Sequence, residues 1–193
     1  MNSSWFGKVL LTGACTLAGV TAWGQAAPAS TSHLDVALVY HPADANLVSG
    51  ASFWMQGGSV QVEGRFWRGM GVVADVSVLH TGHMNSQNVS LDLVTATFGP
   101  RYTWSPRRGR SSCFGQFLIG EVNGLNSVFP GSISATDTAN SFAYMTGGGL
   151  NLRLQPHLSL RVFEANWLRT QLPNATTNVQ NNLRLGTGVV VRF

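Results

Sequence analysis

The C-terminal stretch Leu183-Arg-Leu-Gly-Thr-Gly-Val-Val-Val-Arg-Phe193 alternates with a period of two. In an extended strand it places Leu183, Leu185, Thr187, Val189, Val191 and Phe193 on one face, and Arg184, Gly186, Gly188, Val190 and Arg192 on the other. The first face suits lipid and the second suits a narrow polar interior. In a soluble sandwich the arginines and glycines would sit on a buried inner face at high cost, whereas a membrane barrel inverts the pattern and turns its polar groups inward. The inversion selects an all-β transmembrane barrel.

Outward from this segment, similar alternation recurs at Leu34–His41, Ser59–Trp67, Met70–Val78, Leu91–Trp104, Ser112–Val122, Ser141–Leu154, His157–Thr170 and Asn182–Phe193. These lengths lie near the roughly 9 to 11 residues that a tilted spanning strand needs. Tight connections at Arg68-Gly69, Ser105 to Arg110 and Gln155-Pro156 alternate with longer ones at Pro42 to Gly58, Leu79 to Ser90, Asn123 to Asn140 and Gln171 to Asn181. Short turns on one side and long loops on the other are the asymmetry of outer-membrane barrels, with the short side periplasmic. Phe66, Trp67, Tyr102, Trp104 and Phe193 all fall at short-turn ends, as an interfacial aromatic girdle requires. The expected fold is an eight-stranded antiparallel up-and-down β-barrel, assembled after a signal peptide is cleaved.

Met1 to Lys8 form a weakly basic start, Val9 to Trp23 are apolar or small, and Ala22-Trp23-Gly24 offers small residues at a cleavage site. The apolar run falls short of the roughly 20 residues of a spanning helix. Residues 1–24 therefore read as a signal peptide and 25–193 as one barrel domain, with cleavage after Ala26 as the second choice. Cys15 follows Leu11-Thr12-Gly13-Ala14, resembling a lipoprotein site whose leucine stands one place too far away. With the leader removed, Cys113 is the only cysteine and no internal disulfide can form.

Of the 193 residues only 10% are charged, which argues against an ordinary cytoplasmic enzyme. The net charge of +4 rests on arginine, because Lys8 is the single lysine. Those arginines are scattered through strand-like segments, which argues against nucleic acid. Arg107, Arg108 and Arg110 share one short turn that meets solvent or anionic headgroups.

Alternation turns Gln61, Glu63, Arg65, Asp75, Arg101, Arg153, Arg161, Arg184 and Arg192 inward. An eight-stranded barrel is just wide enough to be filled by such side chains, so they read as a self-neutralising structural plug rather than a gated pore. Glu164, three residues after Arg161, is out of phase and would face lipid in a regular strand. A β-bulge near Val162 and Phe163 is predicted to return Glu164 and Asn166 to the interior and set Trp167 on the outer aromatic belt.

The chain resembles the small outer-membrane β-barrel proteins that include the OmpA transmembrane domain, OmpX and the opacity-like proteins. The likeness is carried by Gly57-Gly58-Ser-Val-Gln-Val-Glu-Gly-Arg-Phe66 leading into Gly71-Val-Val-Ala-Asp75, by Phe98-Gly-Pro-Arg-Tyr102, Gly147-Gly-Gly-Leu-Asn-Leu-Arg153 and Leu158-Ser-Leu-Arg161, and by the closing Val191-Arg-Phe193. The order and spacing of these motifs matter more than any one of them. The resemblance implies a bacterial outer-membrane location and an assembly signal at Phe193 read by the barrel-insertion machinery, while tethering to the cell wall is not implied. Outer-membrane lipids and an extracellular ligand held through the long loops are the other expected partners.

Some small outer-membrane barrels are lipid A deacylases or acyltransferases, and His157-Leu-Ser159 is similar to a His-x-Ser element. No third group is evident to orient the histidine, and the turn lies on the wrong side for lipid A. His80, His83 and Met84 in a long loop have no specific metal spacing. The sequence therefore points to a structural or surface-interacting barrel without catalysis, cofactor or metal. A narrow porin-like channel is the alternative, and a lipid-modifying enzyme a more distant one.

Overall fold

The computed structural model describes residues 33–48, 51–84, 89–106, 110–129, 136–173 and 178–193. The expected signal peptide, Cys15, Arg107 and Arg108 lie outside the described residues. The described residues form eight strands: β1 (His33–Val48), β2 (Ala51–Trp67), β3 (Met70–Met84), β4 (Val89–Trp104), β5 (Ser111–Phe129), β6 (Thr136–Gln155), β7 (Leu158–Thr170) and β8 (Gln180–Arg192). Each pairs antiparallel with the next, and β8 closes on β1, so the sheet has no free edge.

Alternation along the strands sorts side chains by chemistry in the inverted sense. Leu38 and Phe98 are 62% and 59% exposed on the outer face, among many other large apolar residues. Arg101, Arg161 and Arg184 are only 1%, 1% and 0% exposed inside. A soluble monomer of this size rarely exposes a continuous apolar surface beyond a few hundred Å².

The strands run further than their apolar alternation indicates. β1 continues past His41 to Val48 and β2 begins at Ala51, with Ala43 paired to Met55 and Asp44 to Trp54. β5 and β6 likewise extend to Phe129 and back from Thr136. Backbone pairing needs no apolar face, so hairpins rich in Ser, Asn, Thr and Ala can continue where the hydrophobic period fades.

At the β2–β3 turn, Arg68 and Gly69 have φ of 41° and 91°. Two consecutive left-handed residues make the tight hairpin whose twist matches that of the flanking strands. The turn is also packed: Thr103 N donates to Gly69 O at 2.7 Å, and a Cβ on Gly69 would lie 2.3 Å from the Thr103 carbonyl oxygen.

β7 carries the bulge. Leu150 pairs with Phe163, yet the next residue, Asn151, pairs with Arg161; on the other side Arg161 opposes Gly188 and Glu164 opposes Gly186. One extra residue is thereby accommodated in β7. Val162 and Phe163 both face outward, Glu164 and Asn166 are completely buried, and Trp167 is on the outer face.

Candidate functional site

The interior divides into two layers. Toward the short turns it is a network of charged and amide side chains; toward the long loops it is an apolar cluster that includes Met55, Leu79, Leu91, Leu118, Met145 and Leu168.

Gln61 on β2 is the hub of the polar layer. Its Oε1 accepts from Arg101 Nη2 at 2.6 Å and from Arg161 Nη1, while its Nε2 donates to Asp75 Oδ2 at 2.8 Å and Glu164 Oε1 at 3.0 Å. Both lone pairs and both N–H groups of one amide are therefore used, which ties β2 to β3, β4 and β7. Around it, Arg101 pairs with Glu63 at 3.0 Å and donates from Nε to Gln116 at 2.9 Å. Arg161 pairs with Glu164 at 2.6 Å and donates to Asn151 at 3.0 Å. Gln116 in turn donates to Asn166 at 2.9 Å, and Asn166 donates to Glu164.

Two like charges, Arg101 and Arg161, share the Gln61 Oε1 acceptor and both lie against the Phe114 ring. The guanidinium carbons sit 4.4 and 4.6 Å from the Phe114 ring centroid, so the electron-rich ring faces both cations. The ring fits because β6 has no side chains beside it: a Cβ on Gly149 would lie 2.9 Å from two Phe114 ring atoms.

Above this layer Arg184 reaches Ser77 Oγ at 3.2 Å and lies 3.6 Å from Asp75. His41 Nδ1 donates to the Leu185 carbonyl at 2.9 Å, and its Nε2 meets Ser59 Oγ at 2.9 Å. Below it, Arg65 and Arg192 share the Asp35 carboxylate, Arg192 at 3.1 Å.

The structure thus gathers Glu63, Asp75, Arg101, Arg161, Glu164 and Arg184 in one buried network, with Arg65 at its lower margin. Arg153 departs from expectation. It lies in the inward register, paired with Ser159, but its side chain is exposed at the short-turn end. Trp67, Trp104 and Phe193 are exposed at that end, where Phe193 N donates to Leu34 O at 2.8 Å.

Several interior residues were not singled out from the sequence. Asp35 and His41 share the phase of Ala37 and Val39, and Phe114 and Gln116 that of Leu118, so continuing the alternation could have found them. The apolar layer was hidden for another reason, since Met55, Leu79 and Leu172 fall in stretches read as long loops.

His157 is exposed and bonds the Arg192 carbonyl at 3.0 Å, whereas Ser159 is buried on the lumen side. Among the described residues no group of three or more His, Cys, Asp or Glu is placed to hold a metal ion. The side chains of His83 and Met84 are outside the described ones.

Beyond the apolar band, at the long-loop end, Asp92 accepts from Asn126 and pairs with His80. The hydrogen bond from His80 holds the Asp92 carboxyl below the usual carboxylate range, against the opposing effect of burial and with help from the Asn126 hydrogen bond. A carboxyl lowered in the folded state contributes stability above its unfolded pKa and loses it as pH falls through the lowered value. An NMR titration should give Asp92 a midpoint below that of a free aspartate, and His80→Ala should move it back toward the free value.

No protein-family model matches the chain, and no curated protein matches its sequence. Among solved structures it is similar to neisserial surface protein A, with a TM-score of 0.64 and 16% identity over 83% of this chain and 97% of that one. It is also similar to Ail, the attachment invasion locus protein of Yersinia pestis, with a TM-score of 0.54 and 16% identity over 84% of this chain and 99% of that one. Ail has been solved in complex with the heparin analogue sucrose octasulfate as well. At such identity the likeness is one of fold. The chain has the closed eight-stranded barrel fold of small outer-membrane proteins.

Proposed function

We propose that the chain is an integral barrel of a bacterial outer membrane, with a structural or surface-interacting role and no catalysis. The observation that carries this reading is a filled lumen inside an apolar exterior. The guanidinium–carboxylate–amide network occupies one half of the interior and the apolar cluster the other, which favours a plug over a water-filled path. The outward Leu, Val, Phe and Trp side chains find their natural solvent in hydrocarbon. Export through a cleaved signal peptide and recognition of Phe193 by the insertion machinery belong to the same proposal.

With the interior occupied, specificity falls to the long-loop hairpins, which extend well beyond a spanning length. The neighbouring folds belong to a surface protein and an attachment invasion protein, which supports contact with an extracellular ligand. The test is conductance in planar bilayers. The folded chain is expected to give no steady unitary currents. Regular solute-sized steps would overturn the plug and make the narrow channel the better account.

A further inference from the structure

The charges on this barrel are segregated along its axis. Of the eight acidic residues, Asp35, Glu63, Asp75 and Glu164 are buried on the lumen side. Asp44, Asp92, Glu121 and Asp137 all stand in the strand halves that adjoin the long loops. The short-turn rim has a different composition. Arg68, Arg110 and Arg153 are exposed there, and Asp44, Asp92, Glu121 and Asp137 all lie in the other half of their strands.

Geometry brings these cations to one level. Arg153 N donates to the Arg110 carbonyl at 2.7 Å, which joins the two residues across the ends of β5 and β6. The Arg68 turn is tied to the end of β4 through Thr103. The Arg68 guanidinium carbon lies 5.7 Å from the Trp67 ring centroid, and Phe66, Trp67 and Trp104 are exposed beside it. Interfacial aromatics fix the depth of a barrel at the boundary between hydrocarbon and headgroups. The rim arginines therefore stand at headgroup depth. A guanidinium fork also matches the geometry of phosphate oxygens.

We infer that the short-turn rim is a binding surface for the phosphate headgroups of anionic phospholipids, contacted by Arg68, Arg110 and Arg153. This rests on the membrane reading above. Lipid is favoured over a soluble polyanion because the cations border the aromatic girdle, where an acyl chain and its phosphate can be met together.

The test uses the whole chain with Trp5, Trp23, Trp54 and Trp167 changed to Phe, so that Trp67 and Trp104 report on the rim. After insertion into bilayers, quenching by brominated phosphatidylglycerol is compared with quenching by brominated phosphatidylcholine. An effective preference of about fivefold for the anionic lipid is expected at low salt. It should fall toward unity in Arg68→Gln/Arg110→Gln/Arg153→Gln and at about 0.5 M NaCl, where exposed charges are screened. Arg68→Gln alone should fall part of the way, which keeps the proposal testable should the triple variant fold poorly. A second chain that retains only Trp54 and Trp167 should show no such preference. Equal quenching by both lipids at the rim of the inserted chain overturns the headgroup surface, and arginine-dependent binding of a soluble polyanionic glycan in that case would assign the rim to a polyanion. Failure of either lipid to quench would instead overturn the membrane reading itself.

Discussion

Glu164→Ala is expected to lower the unfolding free energy by about 3–5 kcal/mol, the effect of stranding one partner of a buried ion pair. Glu164 is completely buried and accepts from Arg161, Gln61 and Asn166. Its removal leaves the Arg161 cation without its carboxylate and strips acceptors from two amides, and no water from the bilayer side can replace them. The measurement is urea unfolding in lipid vesicles, followed by tryptophan emission and by the gel mobility of the folded form. The double replacement Arg161→Met/Glu164→Leu should regain much of the loss, because exchanging both partners for apolar groups removes the desolvation penalty along with the attraction. A Glu164→Ala variant as stable as the parent would show that the pair contributes nothing.

Phe114→Ala is the second large effect, expected to cost about 3–5 kcal/mol through the void it leaves. Packing is only part of the reason. The ring lies within cation–π distance of both Arg101 and Arg161, so its loss removes two such contacts and opens a gap beside Gly149. Phe114→Leu separates the contributions, since it refills much of the volume with no π-face. A loss of about 1–3 kcal/mol is expected for it, from two cation–π contacts in a desolvated setting. If Phe114→Leu matched the parent in the same urea assay, the ring would act as filler alone.

Much of the barrel was legible because a strand's side chains alternate regardless of what surrounds the strand. β8 displays this directly, with Leu183, Val189 and Val191 outside and Arg184 inside. Glu164 was legible for the same reason, as the one carboxylate out of phase in an otherwise regular segment. The upper interior was not. Met55 and Leu79 lie where apolar and polar positions no longer contrast, because both faces of a hairpin can be mixed once it leaves hydrocarbon. Arg153 misled in the opposite way: its phase is inward, yet its side chain is exposed, because phase fixes the direction of the Cα–Cβ bond and not the course of a long side chain near the end of a strand.

The sequence by itself determined the eight strands, the alternation of short and long connections, most of the inward arginines and carboxylates though not Asp35 or the exposure of Arg153, and the need for a bulge in β7. Each follows from local periodicity or from the unfavourable placement of a single charge. Only the tertiary structure decided the partners within the lumen. Gln61 meets Glu164, and Arg101 and Arg161 share Phe114, because closure of β8 on β1 and the pairing register bring side chains from distant strands across a narrow interior. A one-dimensional period specifies which way a residue points, while shear and closure specify what it meets there.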